Sequence, residues 1–154
     1  STSKTAMDAY ALLKSIIAGE GISEITDNYG AFESIRSGFF SSSSALTNVE
    51  LSQTKAIGSY AFTDCYNLSV VTFAECSYIG GSAFADCVNL YYVYLLYENP
   101  LDSSAICQIE SDAFYNTHVT KQATYAGYIY VPSQLRSFYI SAYSSYNIIS
   151  YHSE

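Results

Sequence analysis

The 154 residues contain no tryptophan, two prolines, one methionine and two histidines, and only six lysines and arginines stand against fourteen acidic residues. Each shortage excludes something. A formal net charge of -8 makes nucleic acid and anionic membrane poor partners, because both carry the same sign. The two histidines, His118 and His152, are too few for a multi-histidine metal site and give no convincing histidine-based triad. No run approaches the ~20 consecutive apolar residues of a membrane helix, so no membrane insertion by this segment is expected. The first thirty residues lack the basic, apolar, small-residue order of a secretion signal, so any export signal is expected outside them. There is no glycine-rich phosphate loop, CxxC pair or nucleophile elbow. Neither catalysis nor a cofactor nor a metal site is expected.

What remains is apolar and aromatic. At 49% hydrophobic residues, a chain the size of one ordinary domain can bury a core, and a single domain spanning residues 1–154 is the expectation. Seventeen tyrosines among many serines and asparagines favour β-structure and polar turns over a helical bundle.

The chain repeats itself. AFTDCYNLSVVTF at 61–73 returns twenty-two positions later as AFADCVNLYYVYL at 83–95. At the same interval stand Ile35, Ile57 and Ile79; Phe40, Phe62 and Phe84; Leu46, Leu68 and Leu90; Val49, Val71 and Val93; and Leu51, Phe73 and Leu95. A further unit begins at Ile109, Ala113 and Phe114, thirty residues after the third, which places an eight-residue insertion near 96–106 around Pro100. A fixed period in the twenties marks a solenoid, in which each coil buries its apolar face only by stacking on the next. Val71-Thr72-Phe73 alternates as a short strand should, with Val71 and Phe73 inward and Val70, Thr72 and Ala74 outward, so stacked coils make a parallel sheet. Gly58 and Gly80 are expected to allow tight turns.

The motif in IGSYAFTDCYNLSVVTF and IGGSAFADCVNLYYVYL resembles the BspA-type leucine-rich repeat over residues 35 to about 117, although Ser43 stands in the first unit where the next two have Cys65 and Cys87. The segment AFYNTHVTKQATYAGYIYVPSQLRSFYISAYSSYNII resembles the end of many such arrays. The expected fold is thus a leucine-rich-repeat solenoid with a short parallel sheet on its concave side and an irregular or short-helical convex side. Both ends need covering. Helical spacing of Ala9, Leu13, Ile16 and Ile17, followed by Gly19 and Gly21, predicts a helix over 6–18 within an N-terminal cap of residues 1–34. Repeats occupy 35–126. A C-terminal cap of strand plus helix spans 127–154, with Ser133 as its N-cap and Leu135, Phe138 and Tyr139 buried.

The four cysteines, Cys65, Cys76, Cys87 and Cys107, are an even set. A bridge between Cys65 and Cys87, one coil and about 4.8 Å apart, is not forbidden by disulfide geometry. The resemblance instead implies a column of small buried free thiols. Asp64 and Asp86 could pair for acid–base chemistry or calcium, but their place after Ala-Phe in a turn favours local backbone hydrogen bonding. The sequon Asn67-Leu68-Ser69 puts its leucine in the core and is discounted as a glycosylation site.

One outward surface stands out. Outward strand positions read Asn48, Glu50 and Ser52, then Val70, Thr72 and Ala74, then Tyr92, Tyr94 and Leu96, with Tyr128 and Tyr130 on the last strand. Tyr92, Tyr94, Tyr128 and Tyr130 should cluster on the concave face, with Tyr97 nearby on the insertion, and tyrosine is enriched at recognition surfaces. Tyrosine also favours strands and stacks across them without binding anything. The resemblance implies an extracellular or cell-surface bacterial module linked to adhesion, with a protein or glycan partner on a host or neighbouring cell. The alternative is a spacer in a larger surface protein or a phage-tail-like assembly.

Overall fold

The computed structural model describes residues 23–27, 30 and 32–152. The helix expected over 6–18 lies outside them. Within them the chain winds as a parallel β-solenoid of about six turns. One sheet has six strands in the order β1 (Glu24–Asp27), β3 (Asn48–Leu51), β5 (Val70–Phe73), β7 (Tyr92–Leu95), β9 (Tyr128–Pro132) and β10 (Ile148–Tyr151). The other stacks β2 (Ser34–Ile35), β4 (Ala56–Ile57), β6 (Tyr78–Ile79) and β8 (Gln108–Ile109). Every pairing between these strands is parallel and in register: Val49, Val71, Val93 and Ile129 form one inward column, and Ile35, Ile57, Ile79 and Ile109 another. Parallel pairing therefore begins at Glu24, ahead of Ile35, where the sequence pattern starts.

Side-chain columns fill the space between the sheets. Phe40, Phe62, Phe84 and Phe114 stack ring on ring with centroids 5.3, 5.1 and 5.3 Å apart, close to the spacing of the strands themselves. All four are buried, as are the leucines at 46, 68 and 90 and the alanines at 61, 83 and 113. The sequence alternation holds on β5, where Val71 and Phe73 are buried and Val70 and Thr72 half-buried.

Between the sheets runs a third ladder that hydropathy does not reveal. In each coil one residue two before the phenylalanine and one two after it adopt left-handed backbone: Gly38 and Ser42, Tyr60 and Asp64, Ser82 and Asp86, Asp112 and Asn116, with φ between 57° and 67°. These turns aim successive N–H groups at the next coil. Tyr60 N donates to Gly81 O, Phe62 N to Ala83 O and Asp64 N to Ala85 O, at 2.7–3.1 Å. Asp64 and Asp86 thus fit their position by tolerating left-handed backbone, and Asn116 Nδ2 bonds Asp86 Oδ1 at 3.0 Å. Gly58 and Gly80 are needed for a different reason than turning. Neither is left-handed, but a Cβ on Gly58 would come 2.5 Å from Ser37 N, and one on Gly80 2.5 Å from Ser59 N, so the coils can approach only where these side chains are absent.

The register dates the irregularities. Ile109 follows its partner Ile79 by thirty residues, and Ile129 follows Val93 by thirty-six. Against a period of 22, eight extra residues fall between β7 and β8 and six more between β8 and β9. The first insertion is closed by local turns in which Asn99 Oδ1 accepts from Leu101 N and Asp102 Oδ1 from Ser104 N.

After β9 the chain makes a 3₁₀ turn (Ser133–Leu135) and a helix, α1 (Arg136–Ala142), and then returns to the sheet as β10. Leu135 and Tyr139 are buried as expected, whereas Phe138 is 44% exposed, and Ser133 is not the N-cap: it opens the 3₁₀ turn, whose N-cap position is Pro132, while Leu135 holds that of α1. The buried face of α1 runs through Tyr139 toward Tyr143, which packs against the core just beyond the helix, and Phe138 turns outward. β10 itself, paired along β9 through Ile148↔Ile129 and Ile149↔Tyr130, extends the sheet by a strand beyond the strand and helix expected of the C-terminal cap.

Candidate binding surface

The outer face of the six-stranded sheet is a grid set by register. One row reads Glu24, Asn48, Val70, Tyr92, Tyr128, and the next Thr26, Glu50, Thr72, Tyr94, Tyr130, Ile149. The four tyrosines singled out from sequence therefore do meet. Tyr94 and Tyr130 stack at 4.6 Å and 14°, Tyr92 reaches Tyr130 at 6.4 Å, and Tyr128 meets Tyr130 edge-on at 6.4 Å. Tyr130 is the hub. Burial, then its tyrosine neighbours led by Tyr94, raises its hydroxyl pKa above the ordinary tyrosine value, so Tyr130 stays uncharged at neutral pH.

The structure adds two members. Tyr151 packs edge-on against Tyr94 at 5.9 Å, and Ile149 lies beside Tyr130 in the ladder. IISY carries no clean apolar–polar alternation, and a four-residue run after a helix reads equally well as a tail. Tyr97 follows β7 and is half-buried; it makes none of the ring contacts of the cluster. Tyr92, Tyr128, Ile149 and Tyr151 each expose more than a third of their surface. Single exposed apolar residues are ordinary, whereas these four lie together at one end of the same face.

Among the described residues no group of three or more histidine, cysteine, aspartate or glutamate side chains is placed to hold a metal ion. His118 stacks on Tyr91 at 3.7 Å, and its Nδ1 lies 2.7 Å from Tyr125 O, a pure acceptor, so Nδ1 carries the proton and the ring serves the loop. It borders an open groove of about 1170 Å³ at the last coil, beside Tyr115 and Tyr125. All four cysteines are free and buried; Cys65 Sγ bonds Phe40 O at 3.2 Å and Cys87 Sγ bonds Phe62 O at 3.0 Å, one coil on. The Cys65 thiol and then burial push the Cys87 thiol well above the ordinary range, the opposite of an activated nucleophile. Asn67 spends its amide on Ser44 O at 2.6 Å, and Leu68 is buried, as the discounted sequon requires.

The period, the inward columns and the paired sheets agree with a comparison against protein families, in which the BspA type leucine rich repeat region matches in six copies over residues 21–148. The chain belongs to the BspA-type leucine-rich repeat family. No curated protein matches, and no solved structure matches. Leucine-rich repeats are in general non-enzymatic protein-binding modules, and those of BspA type are typically surface or secreted. No helix among the described residues is long and apolar enough to cross a membrane.

Proposed function

We propose that this BspA-type domain is a non-enzymatic, adhesion-related protein-binding module that acts at the cell surface or outside the cell. It binds through Tyr92, Tyr94, Tyr128 and Tyr130, extended by Ile149 and Tyr151. The observation that carries the proposal is the Tyr94–Tyr130 stack at the centre of an exposed aromatic set. Rings held by each other on paired strands offer large amphipathic area while losing little further freedom on binding. Tyr97 serves at most as a rim contact. The family's typical location supports a partner met outside the cell.

The test compares the natural domain with a variant carrying Tyr92→Ala, Tyr94→Ala, Tyr128→Ala and Tyr130→Ala, after circular dichroism has established that both fold. Each is offered purified matrix proteins and bacterial surface extracts, and any retained protein is purified and re-bound. The expected result is a partner that the natural domain binds and the variant does not. Equal binding by both would remove the tyrosines from the site, and a partner for neither would favour the spacer role.

A further inference from the structure

The same face is divided by charge. Its first two strands, β1 and β3, present the carboxylates of Glu24 and Glu50, both exposed. β5 presents the small neutral Val70 and Thr72. The last three strands, β7, β9 and β10, present the aromatic set. No lysine or arginine occupies an outward position on any of the six strands; the described cations, Arg36, Lys55, Lys121 and Arg136, all lie outside that sheet. The face thus has an acidic end and an aromatic end with a neutral strip between them.

Register turns this division into a distance. Adjacent strands lie ~4.8 Å apart, so Glu50 on β3 stands about 10 Å from Tyr94 on β7 and about 14 Å from Tyr130 on β9. An extended chain advances ~3.3 Å per residue, so a segment laid across the strands covers those gaps in three to four residues.

Resting on the reading of the tyrosines as the binding surface, we infer that the partner contributes an extended peptide segment bearing a lysine or arginine three to four residues from an aromatic or branched apolar residue. The basic side chain meets Glu24 and Glu50, and the apolar one covers Tyr94 and Tyr130. Val70 and Thr72 are small enough to let the intervening backbone lie close. The net charge of -8 adds steering toward a basic partner, and the tyrosine faces tolerate a cation that strays onto them. A neutral glycan brings no positive charge to the carboxylates, and an anionic one is repelled by them.

The experiment pans a display library of random linear peptides against the full 154-residue chain. Clones are kept if the four-tyrosine variant fails to bind them. Kept clones are expected to be enriched in Lys or Arg three to four positions from an aromatic or branched apolar residue. Glu24→Gln with Glu50→Gln should weaken them about two- to tenfold, as exposed ion pairs allow. Added salt should weaken the natural domain and leave the double variant nearly unaffected. Tyrosine-dependent clones without basic enrichment, or with affinity unchanged by the glutamine substitutions, would overturn the inference and leave the aromatic surface standing. If no clone depends on the tyrosines, the inference is overturned, and the four-tyrosine comparison on matrix proteins and surface extracts then decides separately whether the aromatic surface binds.

Discussion

The hydroxyl of Tyr139, on the C-terminal helix, accepts the backbone N–H of Cys107 at 2.8 Å, thirty-two residues back in the chain. Tyr143 does the same one helical turn later: its hydroxyl accepts from Ile109 N at 2.8 Å and donates to Cys107 O at 2.9 Å. β8 spends its other N–H groups on the preceding coil, Gln108 N on Ser77 O and Glu110 N on Ile79 O. The two tyrosines therefore bond the free edge of the four-stranded sheet and close the solenoid with side-chain oxygens where another coil would have supplied carbonyls.

Removing one of those oxygens while keeping the ring should expose the cost directly. Tyr139→Phe leaves the buried Cys107 N–H without a partner and is expected to destabilise by ~1–3 kcal/mol. The Phe138→Ala control, on the exposed side of α1, should change little. Urea unfolding followed by circular dichroism compares them, and a Tyr139→Phe midpoint equal to the natural one would mean that the bond does not hold the cap.

The same residue predicts alkaline behaviour. Burial pushes the Tyr139 hydroxyl well above the ordinary tyrosine value of 10.0 that it regains on unfolding. Its contribution is therefore complete below about pH 10 and is lost as pH rises beyond that toward the folded value. Urea midpoints between about pH 9 and about pH 11.5 should fall, and Tyr139→Phe should flatten part of the fall. Tyr143, Tyr146 and Tyr130, which burial shifts in the same direction, contribute to the rest, as do the Cys87 and Cys107 thiols, raised by the neighbouring Cys65 and Cys76 thiols and then by burial.

Backbone requirements can be separated from packing at two positions. Tyr60 is 55% exposed with φ of 59°, so Tyr60→Gly removes ~1–2 kcal/mol of left-handed strain and should leave the melting temperature unchanged or raise it. Gly80→Ala forces a methyl against the backbone of the preceding coil and should cost ~1–3 kcal/mol or more. Thermal melts that ranked the two the other way would contradict the third ladder.

The aromatic spine carries the largest single loss. Phe62→Ala empties the space between Phe40 and Phe84 and should cost ~3–5 kcal/mol by denaturant titration.

Thiol chemistry gives a last check. A thiol reagent should find four free cysteines in denaturant and almost none in the folded protein, because all four are buried. Fewer than four in denaturant would mean that bridges form.

By itself the sequence determined the solenoid. Period, inward columns and the outward places of Tyr92 and Tyr94 are read from spacing, because a side chain in a regular coil has one direction and a 22-residue interval repeats it, and the places of Tyr128 and Tyr130 are read from the last strand, GYIYV. The insertion was legible as a change of interval. Tertiary structure decided what no interval encodes. Tyr151 and Ile149 joined the aromatic set only because β10 pairs with β9 after a helix of unrelated period, and the aromatic end faces a carboxylate end only because six strands lie in one order. Phe138 turned outward and Tyr139 inward because bonding the edge of β8 fixed the rotation of α1 more strongly than apolarity did. Gly58 and Gly80 were conspicuous in the sequence, but their reason, the close approach of one coil's backbone to the next, exists only once the coils are stacked.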